Sequence, residues 1–272
     1  MLKLKLSICL FTLLMFLSSE SFAAPNFSYL VVKTGPGAPS VLKKENATKL
    51  RYPASLTKLM TLYLTFDALK HQKIRLDSTA PVSQHASAQP SMKIDLHPGE
   101  KVSVRTLINS MVVASANDSA VVLAEKLGGS EHGFVQMMNS KGQQLGMKNT
   151  HFANATGLYN SSQVTTAMDM ARLMIAIKHD FPQYYSMLSS VHFNHNGVHY
   201  GPHTQLMIHY KWAKAAKTGF ISQSGFNLVL NAKKNNEDLV AVVMGGRSAR
   251  SRDHFMKLLL DNCFNPRSSR LV

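Results

Sequence analysis

The chain has 272 residues, 45% of them hydrophobic and 17% charged, with 15 Gly, 10 Pro and a formal net charge of +15. This composition excludes a disordered or collagen-like chain and suits one large globular domain, or a domain with an inserted lobe. The positive balance favours polyanionic surroundings, but no arginine-rich helix or basic-aromatic motif of a nucleic-acid binder occurs, so no nucleic-acid partner is expected.

In chain order, Lys3 and Lys5 give a basic start, 8–17 an apolar run, and Ser21-Phe22-Ala23 a small-residue cleavage site. Residues 1–23 therefore read as a signal peptide, since the apolar run is too short to span a bilayer. The expected location is the periplasm, where a cell-wall or outer-membrane environment matches the charge. Cys9 falls within the leader and leaves Cys263 alone, so no internal disulfide is expected; Cys263 reads as a small core residue. No second long apolar run follows, which predicts a soluble monomer without a strong membrane anchor.

Residues 29–33 and 40–43 predict a hairpin, with Lys33-Thr34-Gly35-Pro36 in its turn. A helix is expected over 53–71, with Pro53 at its first position; Leu56, Leu59, Met60, Leu62, Leu64 and Phe66 make it apolar on many sides, hence buried. Residues 78–101, with Pro81, Pro90, Pro98 and Gly99, read as loops. Helices follow over 104–113, 119–127, 132–145 and 164–178, with Ser115-Ala116-Asn117 in the bend between the first two. Beyond Pro182 the pattern turns strand-like over 191–194, 198–200, 214–221, 226–232 and 239–245, before a closing helix over 253–264. The sum is an α/β fold of the α+β type: a mainly antiparallel sheet whose N-terminal hairpin joins a C-terminal meander, flanked by helices with an inserted helical lobe. One domain is expected over 24–264, with a short tail over 265–272.

Three strings carry chemistry: Ser55-Leu56-Thr57-Lys58, Ser115-Ala116-Asn117 and Lys217-Thr218-Gly219. A Ser and a Lys three apart at a helix start share one face, so the amine can take the hydroxyl proton. A second Ser with an Asn can complete a proton relay and grip a peptide carbonyl. A strand-borne Lys-Thr-Gly offers a cation and a hydroxyl to a carboxylate, and a Gly against which substrate can lie. Each string alone is weak, because Ser40-Val41-Leu42-Lys43 and Lys33-Thr34-Gly35 fit the same patterns. Those copies fall in a strand and a turn, whereas Ser55 opens a buried helix whose dipole favours developing negative charge.

Order, spacing and setting resemble the penicillin-recognising serine enzymes, and within them the low-molecular-mass penicillin-binding proteins that are D-alanyl-D-alanine carboxypeptidases. Residues 51–61, 152–158, 165–171, 224–228 and 245–253 add to the likeness, which spans nearly all of 27–262. The resemblance implies a β-lactamase/transpeptidase-like fold, and Ser55 as nucleophile with Lys58 as its base. It implies oxyanion donors at the backbone N–H groups of Ser55 and Phe220, and proton delivery to the leaving amine by Ser115. Asn117 would hold the peptide stem, and Lys217, Thr218 and Gly219 would seat the free carboxylate. The implied partners are peptidoglycan stem peptides, with β-lactams as covalent inhibitors; neither metal nor other cofactor is called for. Two departures stand out: Phe220 occupies a position where His or Tyr is common, and the chain ends at Val272, where the family often continues into a sheet domain and sometimes a membrane-binding helix.

Other readings are weaker. A β-lactamase of the serine type deacylates with a Glu between the second and third motifs, and no Glu occurs between Glu131 and Glu237. A metal hydrolase built on His192, His195, His199 and His203 lacks His-Glu-x-x-His, and the Asn196-Gly197 turn would spread these side chains over both faces of a hairpin. A non-catalytic peptidoglycan binder would not need Ser55 and Lys58 together. A DD-endopeptidase acting on crosslinks uses the same strings, and the sequence leaves it open beside the carboxypeptidase.

Overall fold

The computed structural model describes residues 27–35 and 37–265, so the predicted leader and nearly all of the predicted tail lie outside the described residues. Two strands open the fold, β1 (Ser28–Thr34) and β2 (Ser40–Glu45), paired antiparallel as the expected hairpin. A 3₁₀ turn, Ala54–Thr57, then runs into α1 (Lys58–Lys70). The segment expected to be loop contains β3 (Thr79–Pro81), α2 (Gln84–Ser87) and β4 (Lys101–Ser103), pieces too short for periodicity to reveal. The helical middle is α3 (Val104–Val113), α4 (Asn117–Gly128), α5 (Glu131–Gln144), α6 (Ala167–Asp180) and α7 (Pro182–Tyr185). A small hairpin, β5 (Phe193–His195) with β6 (Val198–Tyr200), and a one-turn α8 (Leu206–His209) lead to the meander β7 (Ala213–Ile221), β8 (Gly225–Lys234) and β9 (Glu237–Gly246), before α9 (Ala249–Phe264).

The main sheet has the order β2-β1-β9-β8-β7, all antiparallel, so the two ends of the chain meet where β1 pairs β9. Its side chains alternate with period two. Leu30, Val32, Ala215, Val229, Val240 and Val242 face the helical middle, while Val31, Ala216, Leu228, Leu230, Ala241 and Val243 face Met256, Leu259 and Leu260 of α9. Helices thus cover both faces, the closing helix supplying the second layer. β7 is the sheet's last strand, and the three strings singled out in the sequence gather around it.

The most consequential departure from expectation is the start of the buried helix. Pro53 stands as N-cap of the 3₁₀ turn, and α1 itself begins at Lys58 rather than before Ser55. Ala54 has φ +50, a left-handed conformation that costs a non-glycine residue about 1–3 kcal/mol. The tighter winding of a 3₁₀ turn brings residues i and i+3 into line, so Ser55 and Lys58 meet more directly than on an α-helix. Among the described residues no helix is long and apolar enough to cross a membrane.

Candidate active site

Lys58 is completely buried. Its Nζ donates to Ser55 Oγ at 3.0 Å, to Asn117 Oδ1 at 2.7 Å and to the Thr156 carbonyl at 2.6 Å. Burial is the first cause that drives its pKa well below the usual lysine value; the nearby charge of Lys217 adds to the fall and that of Asp118 opposes it. The three partners decide how the amine sits once it has lost a proton. Asn117 Oδ1 and the Thr156 carbonyl only accept, so they keep its two remaining N–H bonds, and the lone pair then takes the place of the bond donated to Ser55 Oγ.

Asn117 comes from the first residue of α4, and its own Nδ2 donates to the Pro90 carbonyl at 3.0 Å, tying this side of the site to the loop above it. Asp118, next in line, accepts from Ile94 N and Leu96 N at 3.0 and 3.2 Å and pins the same loop. Its carboxyl is pushed up by burial, which outweighs these bonds. Ser115 sits in the bend before α4 with φ +57, a strained geometry that aims its hydroxyl inwards. There it accepts from Lys217 Nζ at 2.8 Å.

Lys217 lies on β7 with its side chain only 2% exposed, and also donates to the Thr218 carbonyl at 3.0 Å. Burial, with Arg252 as the second cause, lowers its pKa to about 7. Lys217 and Gly219 share the helical face of β7, while Thr218 and Phe220 share the α9 face. Gly219 is a steric necessity: a Cβ there would stand 2.9 Å from the Pro53 carbonyl and 3.0 Å from Ser55 N and Leu56 N. Gly157 plays the matching part on the other flank, with φ +90 and a would-be Cβ 1.9 Å from the Ala54 carbonyl. Asn227 completes the clamp, donating to the Tyr52 and Pro53 carbonyls at 3.2 Å and accepting from Gly245 N at 3.0 Å.

A cleft of about 240 Å³ opens over these groups, lined by Ser55 and Ser115, by Thr218, Gly219 and Phe220 of β7, and by Met92. It thus brings together the predicted residues from all three strings. Arg252 also lines it. A reciprocal cap between Ser248 and Ser251 starts α9 beside the cleft, which sets Arg252 one turn in. This guanidinium is 2% exposed and donates to Asp253 Oδ1 at 2.7 Å and to the His203 carbonyl at 3.0 Å. The sequence reading had not singled out Arg252, Asn227 or the Thr156 carbonyl. Arg252 and Asn227 lie within segments that carried the resemblance, but no local pattern marks a backbone carbonyl as a lysine acceptor. Of the histidines weighed as metal ligands, the rings of His192 and His199 stack at 5.4 Å and that of His195 lies against Phe193, whereas His203 lines the cleft, its pKa lowered to about 4 by burial first and then by the charges of Lys217, Arg252 and Lys58.

Residues 21–248 match the family model for D-alanyl-D-alanine carboxypeptidase. The chain is 36% identical over 231 residues to D-alanyl-D-alanine carboxypeptidase DacD of Escherichia coli, an alignment covering 81% of this chain and 58% of that one. The chain therefore spans under two thirds of the length of this curated relative. Penicillin binding protein 5 from Haemophilus influenzae has a similar structure, with a TM-score of 0.83 and 35% identity over 87% of this chain and 70% of that one. Penicillin-Binding Protein D2 from Listeria monocytogenes, in its cefotaxime-bound form, aligns with a TM-score of 0.78 and 26% identity, over 87% of this chain and 96% of that one.

Proposed function

The chain belongs to the D-alanyl-D-alanine carboxypeptidase family, and on that premise we propose that it is a serine-type carboxypeptidase that removes the terminal D-Ala from peptidoglycan pentapeptide stems. The observation that carries the reading is the buried Lys58 amine, 3.0 Å from Ser55 Oγ, with its pKa held well below the ordinary value. A lysine of ordinary pKa, ~10.4, is almost fully charged at neutral pH and cannot act as a base.

Neutral Lys58 takes the Ser55 proton as Ser55 Oγ adds to the carbonyl of the penultimate D-Ala. The oxyanion is met by the backbone N–H groups of Ser55 and Phe220. The close packing of Gly219 on Ser55 N supports this pairing, since it lays the backbone of β7 against the nucleophile turn. Ser115, polarised by Lys217, delivers the proton to the departing amine. Asn117 steadies the stem from the opposite side. Lys217, Thr218 and Arg252 draw the free carboxylate to one end of the cleft, which favours chain ends over internal bonds. Water then cleaves the Ser55 ester and frees the shortened stem.

β-Lactams, whose carboxylate and strained amide offer the same two handles, are the expected covalent inhibitors. The mature enzyme is read as one catalytic domain over 24–264, working as a monomer in the periplasm after removal of 1–23, which N-terminal sequencing of the exported protein tests. The activity is tested by intact-mass analysis after penicillin treatment, together with product analysis on muropeptides. A single adduct on Ser55 and release of free D-Ala from pentapeptides are expected. An adduct elsewhere, or digestion of crosslinked dimers outrunning D-Ala release, overturns the reading, the latter in favour of an endopeptidase.

A further inference from the structure

The two faces of β7 divide the cleft in a way that bears on the residue at the very end of the substrate. On the helical face lie Lys217 and Gly219, against Ser115 and the nucleophile turn. On the α9 face, Thr218 is followed two residues later by Phe220, about 7 Å further along the strand. Phe220 pairs directly across the ladder with Phe226, and the two rings stack with centroids 4.3 Å apart and planes 29° from parallel. Phe220 is 54% exposed, so its ring offers apolar surface to the cleft that it lines together with Phe226. Ala249 and Met92 extend this apolar wall, and the cleft surface as a whole is more apolar than polar.

The terminal residue of a stem carries its carboxylate and its side chain on one Cα. If Thr218 and Arg252 hold the carboxylate, the side chain lies within a few ångströms of it, and the next group on that face of the strand is the Phe220–Phe226 pair. The methyl of D-Ala would cover little of this wall. We infer that the subsite for the departing residue is built for apolar side chains larger than methyl, and that the enzyme releases bulky apolar D-amino acids from stem termini in preference to D-Ala. The inference rests on the carboxypeptidase reading. The chemistry is unchanged: the amide between the penultimate D-Ala carbonyl and the terminal amine breaks, and the Ser55 ester forms. The Ser55 proton leaves on the amine, and water divides its H and OH between the enzyme and the acyl group.

The test compares kcat/KM on N-acylated stem peptides ending in D-Ala–Gly, D-Ala–D-Ala and D-Ala–D-Leu. The order Gly below D-Ala below D-Leu is expected, with D-Leu about tenfold above D-Ala, the range one or two buried methylenes supply. Phe220→Ser and Phe226→Ser, each verified as folded by its thermal melt, should bring the D-Leu to D-Ala ratio down towards one. The readout is the ratio, since either substitution can alter the absolute rate. Cleavage of D-Leu termini more slowly than D-Ala termini by the wild type, or an unchanged ratio in both variants, overturns the subsite and leaves the carboxypeptidase reading standing. Failure to release the last residue from any of the three peptides overturns both.

Discussion

Lys-Thr-Gly occurs twice in this chain, and the two copies live in opposite surroundings. Lys33 ends β1 with its ammonium in solvent, 3.5 Å from the exposed Glu237. Thr34 Oγ1 donates to the Asp238 carbonyl at 3.2 Å, and Gly35 has no atom within 4 Å of where a Cβ would sit. Lys217 is buried with its pKa lowered, and Gly219 is wedged against the backbone of the nucleophile turn. Ser-x-x-Lys is duplicated too: Ser40 and Lys43 lie on β2, exposed along its whole length. Ser55 lies on a 3₁₀ turn that runs directly into Lys58, whose buried amine reaches its hydroxyl at 3.0 Å. Identical letters thus acquire chemistry only where burial removes solvent and backbone geometry removes slack.

The sharpest way to break the contrast is to delete each hydroxyl. Ser55→Ala should abolish covalent labelling by penicillin while the thermal melt still shows a folded protein, and Ser40→Ala should label like the wild type. A labelled Ser55→Ala protein would place the nucleophile elsewhere. Next in size, Lys58→Arg should slow acylation by about 10³-fold, as much as Lys58→Ala, because Arg stays protonated. Lys43→Arg should have no effect. Stopped-flow acylation rates decide this, and substantial activity in Lys58→Arg would reduce Lys58 to a structural part.

Gly219→Ala must push the new Cβ into backbone atoms at 2.9–3.0 Å. A cost of about 1–3 kcal/mol in stability is expected from overpacking, with about 10² in kcat/KM from displacement of the Ser55 turn. Gly35→Ala meets no neighbour, so its cost is confined to its φ of +141 and activity should not change. Paired melts and rates separate the two.

A pH titration is the gentlest probe. In the proposed mechanism Lys58 acts deprotonated, and its pKa is lowered, so the acylation rate should rise with pH through that pKa. Lys217 acts there as a cation, and its pKa of about 7 means its charge is lost as pH rises beyond that point. KM for carboxylate-ended substrates should therefore climb above about pH 7, by up to about tenfold per unit where Lys217 dominates binding. In Lys217→Ala this climb should vanish. A KM flat across this range in the wild type would remove Lys217 from carboxylate binding. Smallest of all, Lys33→Ala should shift stability by less than about 1 kcal/mol, the worth of an exposed ion pair, and leave every rate alone.

Much of the architecture was legible because local rules and global fold agree. The run from Leu56 to Leu69 is apolar on so many sides that only a buried helix satisfies it, and every residue of it but Asp67 is buried. The apolar runs of β1 and of the meander announced strands, and both faces of their sheet meet helices. The short pieces between 78 and 103 were missed because three or four residues carry no measurable period. The 3₁₀ turn at Ser55 was missed for a different reason. Its geometry is imposed from outside, by Gly157 and Gly219 pressing on it from both flanks and by Asn227 holding the Tyr52 and Pro53 carbonyls.

The sequence alone determined the residue types for an acyl transfer without histidine, their order, and the helix and strands that carry them. These follow from spacing and hydrophobic period, which are local properties. Sequence context set aside the second copies of Ser-x-x-Lys and Lys-Thr-Gly, but tertiary structure alone laid Gly219 of β7 against the Ser55 turn, because the two are more than 150 residues apart in the chain. It also decided that the Thr156 carbonyl and Asn117 turn the Lys58 lone pair onto Ser55, and that Arg252 and Phe220 share one face of the cleft. A pKa and a subsite depend on the distance and burial of groups from several elements at once, and no window of sequence contains them.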